Sequence, residues 1–264
     1  MPVTDHVDLD RYPILDLGAP AATALVASAR SMLAGTGACE LPGFLTPEGL
    51  AACLDDARAL EGEAYPSSGR GTAYLEAPDP SWPADHPRAR RCPYAVGTVT
   101  YDEFPAASPI RSLYEWDPLL GFIGAVLGSE VFRYADPLGA LNLAVMGAGD
   151  ELQWHYDQTD FVVSLVLQPS DEGGTFDVVP RLRADGDERY DRVGAVLDGD
   201  LTGVVTLPMT PGTLLVFAGR TSLHRVSPVG GDRPRLVVLM GYDTAPGTRS
   251  TPGLQQARYG RVAS

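Results

Sequence analysis

The chain has 264 residues, 34 acidic against 20 basic, for a formal charge of −14, and 44% of its residues are hydrophobic. It contains no lysine, so every one of those basic residues is arginine. So acidic a surface repels nucleic acid and anionic lipid, and no apolar run reaches the roughly 18 residues of a membrane span, which leaves a small molecule as the expected partner.

The opening Met1-Pro2-Val3-Thr4-Asp5-His6 lacks the basic and apolar segments of a signal peptide, and the expected location is cytoplasmic. Cys39, Cys53 and Cys92 have no metal-type spacing and read as reduced, structural thiols. Composition leaves the oligomeric state open.

Residues 1–20 are polar and broken by Pro2, Pro13 and Pro20, which suggests a tail or a first edge strand. Ala21 to Leu33 has apolar residues at helical spacing and stops at Gly35-Thr36-Gly37. A short strand, Ala38 to Leu41, precedes a second helix with Thr46 as N-cap and Pro47 in its first position. From 64 to 100 the chain is rich in Gly, Pro, Ser and Arg and reads as a long lid or binding loop, with Arg70, Arg88, Arg90 and Arg91 forming a basic cluster. Pro109 to Leu127 is helical with a break at Asp117-Pro118.

Beyond residue 130 the pattern turns to strands. Eight short apolar segments, beginning at Leu141, Leu152, Phe161, Thr175, Val204, Thr213, Leu223 and Arg235, are separated by turn clusters. An acidic, Gly-containing insertion occupies 181–203. Helices first and strands later make an α+β arrangement in which helices buttress one sheet. We expect a single domain, 1–264: an N-terminal helical and lid region (1–130), a β core (131–245) interrupted by the insertion, and a C-terminal tail (246–264).

The chemistry concentrates at Gln153-Trp154-His155-Tyr156-Asp157. On an extended strand His155 and Asp157 share a face, while Trp154 and Tyr156 turn away into a core. The chain has four histidines, and His224, in Ser222-Leu223-His224-Arg225-Val226, is the other one set in a strand pattern. Two imidazoles and a carboxylate that leave three coordination positions open form the ligand set of non-haem Fe(II) oxygenases. Zinc takes the same ligands, but a zinc hydrolase needs a general base, and no His-Glu-x-x-His helix is present.

Leu141 to Asp243 resembles the core of the Fe(II)/2-oxoglutarate-dependent oxygenases. The resemblance rests on His155-x-Asp157, on Pro211-Gly212-Thr213-Leu214-Leu215-Val216-Phe217, on His224-Arg225-Val226-Ser227-Pro228-Val229 and on an arginine about ten residues later. Tyr134 to Asn142 and Gly241 to Gly247 look like bacterial enzymes acting on free amino acids, a group that includes the radical halogenases of lysine. The resemblance implies a double-stranded β-helix (jelly-roll, cupin-like) core with N-terminal helices packed on one sheet. It also implies Fe(II) held by His155, Asp157 and His224, with 2-oxoglutarate and dioxygen as cosubstrates.

In that family an arginine of the last core strand holds the distal carboxylate of 2-oxoglutarate, a task suited to a planar fork of donors. Arg233 and Arg235 both lie at the right distance from His224. Arg235 opens an unbroken strand, whereas Arg233 precedes Pro234 next to a Gly-Gly-Asp turn, so Arg235 is preferred. An inward Arg235 puts Val237, Leu239 and Gly241 on the same, apolar wall.

Asn142 falls where such enzymes contact cosubstrate or substrate, and Tyr259 where they place an aromatic over the substrate. Asp160 and Gln158 lie near enough to the metal strand to orient a substrate amine or a ligand histidine. Arg70, Arg90 and Arg91 are candidates to grip a substrate carboxylate.

The halogenases replace the metal-binding acid with a small residue to admit chloride; this chain keeps Asp157. The expected activity is therefore hydroxylation of an unactivated C–H bond in a free amino acid or natural-product intermediate. A prolyl-type protein hydroxylase and a non-enzymatic cupin-like binding module are the alternatives.

Overall fold

The computed structural model describes residues 2–77 and 79–263. Helix α1 (Pro20–Thr36) ends at Gly37, whose left-handed φ of 73° lets its N–H turn back to the Leu33 carbonyl. Strand β1 (Ala38–Leu41) leads to α2 (Pro47–Leu60), capped as the sequence suggests by the Thr46 hydroxyl accepting from the Gly49 N–H at 2.9 Å. Then come β2 (Tyr65–Thr72), β3 (Arg91–Thr100), α3 (Pro109–Glu115), α4 (Asp117–Leu127) and β4 (Phe132–Arg133). The core continues with β5 (Leu141–Met146), β6 (Glu151–His155), β7 (Val162–Gln168), β8 (Glu172–Gly173) and β9 (Phe176–Val179). The inserted α5 (Tyr190–Leu197) precedes β10 (Val205–Leu207), β11 (Leu214–Phe217), β12 (Leu223–Val226), β13 (Val229–Gly230), β14 (Arg235–Met240), β15 (Tyr242–Asp243) and α6 (Pro252–Tyr259).

One curled antiparallel sheet runs β1-β11-β7-β14-β5-β3-β6-β12-β9-β10, with β2 paired to β3. It is the jelly-roll core of an α+β fold. The larger wall holds β1, β11, β7, β14 and β5; the smaller holds β6, β12, β9 and β10. Strand β3 belongs to both: Gly97 to Thr100 pair with β5, and Tyr94 and Ala95 pair with β6.

Alternation along the larger wall sends Leu143, Leu165, Val216 and Val238 outward, where Ile110, Leu113, Phe122 and Ile123 of α3 and α4 cover them. Each such fully buried side chain contributes roughly 1.5–3 kcal/mol over an exposed one. Their neighbours Val166, Leu215, Phe217 and Val237 form a separate cluster inside the roll. The insertion packs Val193 and Val196 of α5 over Trp154, Tyr156, Val179 and Leu223 on the outer side of the smaller wall. No helix among the described residues is long and apolar enough to cross a membrane.

Three expectations need correction. Among the described residues up to 20 there is no strand, only a 3-10 helix (Val3–His6) and the isolated bridge between Val7 and Leu45. The 64–100 stretch is a long hairpin, β2–β3, whose connection alone is irregular. Gly69 looked like a loop signal, but it is the glycine over which the Tyr94 ring lies; a Cβ there would stand 3.0 Å from the Tyr94 hydroxyl. The 246–264 segment is also more than a tail. It contains α6, with Thr251 accepting from the Leu254 N–H, Pro252 in the first turn and Gly260 as a left-handed stop.

Candidate metal centre

His155 ends β6 and faces His224 on β12, with ring centroids 4.2 Å apart. A bulge adjusts this pairing. The step from His155 back to Leu152 is three residues, against two from His224 to Val226, so Leu152 and His155 both face the interior. His155 Nδ1 lies 2.7 Å from the Gln153 carbonyl and His224 Nδ1 lies 2.9 Å from the Ser222 carbonyl. A carbonyl only accepts, so each Nδ1 carries the hydrogen and each Nε2 keeps its lone pair for a metal.

Asp157 brings its carboxylate to both imidazoles: Oδ1 is 3.9 Å from His155 Nε2 and Oδ2 is 3.5 Å from His224 Nε2. The three donor atoms lie within 4.8 Å of one another and form a metal-binding triad. Burial first, then the neighbouring His224, pulls the His155 imidazole down to about 4, so it is neutral at pH 7 and ready to ligate. The Phe217 ring stands edge-on to His224, with centroids 4.9 Å apart, and fixes its plane.

The route by which Asp157 arrives differs from strict strand alternation. β6 stops at His155, and the next two residues are held by other loops: the Tyr156 N–H donates to the Ala73 carbonyl (2.7 Å) and the Asp157 N–H to the Gly219 carbonyl (3.1 Å). Gly219 is a functional residue that sequence reasoning missed. A Cβ there would lie 2.6 Å from Asp157 Cγ and 2.9 Å from Asp157 Cβ, so only glycine leaves room for the acid. A glycine in a turn was the only signal available. Beyond it, the Arg220 guanidinium donates to the Asp160 carboxylate and the Gln158 carbonyl, and the Gln158 amide donates to the Leu75 carbonyl (3.1 Å). Asp160 and Gln158 thus brace the loop that carries the acid.

Arg235 and Arg233 separate cleanly. Arg235 pairs with Met146 in register and points inward, with Val237 and Leu239 on the same face. It is 5% exposed, its one polar neighbour is Met146 Sδ at 4.0 Å, and among the described residues no carboxylate pairs with it. Desolvation lowers its pKa to about 10. Arg233 lies in the exposed turn, where its N–H and guanidinium both bond Asp171, at 3.0 and 3.1 Å.

The remaining candidates scatter. Asn142 faces the interior opposite Leu239, but its amide is committed: Nδ2 donates to the Leu138 and Leu141 carbonyls, and Oδ1 accepts from the Tyr259 hydroxyl at 3.0 Å. Arg70 and Arg91 cap each other's carbonyls at 2.7 Å, and the register puts both on the face opposite Tyr94 and Val96. Arg90 reaches Asp198 (2.7 Å) and the Leu197 carbonyl (3.0 Å), while Arg88 bonds the Tyr190 hydroxyl (2.7 Å) and Glu188 (3.3 Å). Arg88 and Arg90 therefore fasten the hairpin connection to the α5 insertion, Arg70 and Arg91 tie β2 to β3, and the contacts of these four arginines do not include the metal ligands.

Tyr134, which opens the Tyr134–Asn142 stretch, packs its ring over Gly241, where an added Cβ would stand 2.8 Å from it. Burial, then the charge of Asp243, pushes the Tyr134 hydroxyl up to about 12, opposed by Arg258.

No curated protein matches the chain. Among solved structures, it is similar to the epimerase SnoN in complex with Fe3+, alpha ketoglutarate and nogalamycin RO, at 19% identity and a TM-score of 0.57 over 87% of this chain and 93% of that one. EctD from S. alaskensis, with 2-oxoglutarate and 5-hydroxyectoine, matches at 19% identity and a TM-score of 0.53 over 82% and 75%. A prolyl hydroxylase from Trichoplax adhaerens, in complex with a hypoxia inducible factor peptide fragment, matches at 14% identity and a TM-score of 0.55 over 84% and 90%. At these identities the likeness is one of fold. The family model described as "HalD: Halogenase D" matches residues 87–252, a span that takes in all three metal ligands, Arg235 and well over half the sequence, and the chain belongs to that family.

Proposed function

We propose that the protein is an Fe(II)- and 2-oxoglutarate-dependent oxygenase that hydroxylates an unactivated C–H bond of a small molecule, a free amino acid or a natural-product intermediate. One observation carries the reading. A complete His155–Asp157–His224 donor set opens into the same interior as Arg235, a buried guanidinium with no carboxylate of its own. One side of that interior offers a single carboxylate with two imidazole donors, and the other a single guanidinium that no carboxylate balances. Fe(II) and 2-oxoglutarate fit both requirements.

When bound, Fe(II) with 2-oxoglutarate supplies dioxygen activation coupled to decarboxylation of the cosubstrate to succinate. The chain's residues do the rest. The carbonyls of Gln153 and Ser222 hold both imidazoles in the ligating tautomer. Arg235 takes the distal carboxylate of the cosubstrate through parallel N–H donors, in a site dry enough to make each bond strong. Val237 beside it excludes water. Asp157 fills the position that a halide would otherwise take, which favours hydroxylation over halogenation.

Anaerobic addition of 2-oxoglutarate to the Fe(II)-loaded protein should give a metal-to-ligand charge-transfer band. In air, a panel of amino acids should then reveal substrate-dependent succinate, with a product heavier by one oxygen atom and no halogenated product in chloride or bromide buffer. Absence of the band would remove the oxygenase reading altogether. A halogenated product would overturn the role given to Asp157.

A further inference from the structure

We infer that Arg183, on the inserted segment outside the roll, is the positioning residue of the metal-binding acid, because its guanidinium joins the two backbone segments that hold Asp157 in place. The inference rests on the metal centre and adds to it a residue that works from the outer side of the smaller wall.

Asp157 depends on its neighbours rather than on a strand. Strand β6 ends at His155, and two backbone bonds bring the acid in, from the Tyr156 N–H to the Ala73 carbonyl (2.7 Å) and from the Asp157 N–H to the Gly219 carbonyl (3.1 Å). The 155–157 segment and the 218–222 turn must therefore keep a fixed spacing. Arg183 contacts both. Its guanidinium carbon lies 4.3 Å from the centroid of the Tyr156 ring, the side chain between the two ligands in sequence. Its Nε donates to the Arg220 carbonyl, one residue past Gly219, and its backbone N–H donates to the Thr221 carbonyl at 3.2 Å.

The same segment reaches the second histidine. Arg181 takes a left-handed φ of 46°, rare for a residue with a side chain, and its N–H donates to the Ser222 hydroxyl at 3.1 Å. Ser222 is fully buried, and its carbonyl accepts the Nδ1 hydrogen of His224. Residues 181 and 183 thus brace the one turn whose carbonyls set both Asp157 and His224.

The Arg183 guanidinium is itself kept from swinging away. Glu188 accepts from it at 3.4 Å and from Arg88 at 3.3 Å. Arg88 in turn lies 4.4 Å over the Tyr74 ring, and Tyr74 packs against Tyr156 with centroids 5.4 Å apart. The contacts close on themselves, and no charged side chain among them is more than 28% exposed. A guanidinium suits this place because it can stack on a ring and still donate sideways in its own plane, which an ammonium cannot do.

The test titrates Fe(II) anaerobically, without 2-oxoglutarate, into the wild type, R183M, R183K and V196A, by calorimetry well below each melting temperature. R183M keeps the apolar stem and should bind Fe(II) about tenfold more weakly, the loss expected when a ligand's support is removed. R183K should recover part of that loss. V196A removes a buried side chain of α5 and loosens the same insertion, so it should melt lower but bind Fe(II) as the wild type does. With 2-oxoglutarate added, the charge-transfer band of R183M should stand at a different wavelength from that of the wild type, and the band of V196A at the same one. Wild-type Fe(II) affinity in R183M overturns the proposal, as does an equal loss in V196A, which would make the insertion a general stabiliser only. Should R183M fail to fold, R183K decides: a partial loss of affinity supports the proposal and wild-type affinity overturns it. The titration needs no cosubstrate, so its failure and the failure of the oxygenase reading are separate results.

Discussion

Arg235→Met separates the cost of a buried charge from its use. An arginine ordinarily titrates near 12.5, and each pH unit below that corresponds to about 1.4 kcal/mol against the charged form. Burial brings Arg235 to about 10, so holding it charged without a partner costs the folded protein on the order of 3 kcal/mol. Both values lie above neutrality, so the guanidinium is charged in the folded and unfolded chain alike and the whole penalty is present at pH 7. Methionine keeps an unbranched stem and removes the charge. Without ligands, Arg235→Met should therefore melt higher than the wild type, by on the order of 5–10 °C for a chain of this size. With metal and 2-oxoglutarate at a hundred times the dissociation constant the wild type gains about 2.7 kcal/mol, and the variant should gain only what the metal supplies. Differential scanning calorimetry with and without cosubstrate reads both effects. A ligand-free variant that melts below the wild type, or one that still responds to 2-oxoglutarate at wild-type concentrations, would refute the reasoning.

Asp157→Ala should abolish hydroxylation and weaken Fe(II) binding by more than tenfold in calorimetric titration; full retained activity would show that the site is misplaced. Gly219→Ala should lower Fe(II) affinity by about 10–100-fold, as loss of a ligand-orienting contact does. Gly62→Ala, where an added Cβ meets nothing within 4 Å, is its control and should titrate like the wild type. Burial raises the Cys39 thiol to about 11 and the Cys53 thiol to about 12, so at pH 8 neither is a thiolate. A disulfide reagent should label at most Cys92 in the native protein and all three thiols in denaturant, and rapid native labelling of Cys39 or Cys53 would contradict their burial.

The sequence made the ligands legible because their chemistry is scarce: four histidines, two of them in strand patterns, one of those opening His155-x-Asp157. Arg235 was legible through alternation, since a residue that begins an unbroken apolar strand has a face assigned to it. What resisted was anything set by pairing across long sequence distances. Asp157 shares a side with His155 because the Gly219 carbonyl captures its N–H, not because a strand continues through it. The glycines of β2 resemble a loop until Tyr94 is seen lying over one of them. Arg90 and Arg91 advertise charge in the sequence, but their partners, Asp198 and the Leu197 carbonyl for one and the Arg70 carbonyl for the other, are chosen by the fold.

Strand β3 serves both walls of the roll, and this ties the two halves of the site to one pleat. Its Thr98 and Thr100 are in register with Ala144 and Asn142 on the cosubstrate side, and its Tyr94 with Leu152 on the ligand side. A single residue inserted between Ala95 and Gly97 would leave the β5 and β6 pairings locally intact, while breaking the register with β2. It would nevertheless turn the alternation of one wall over relative to the other, so that His155 and Arg235 could no longer look into a common space. The phase of that one strand, set in a segment outside the 131–245 core, decides whether a metal and a dicarboxylate meet.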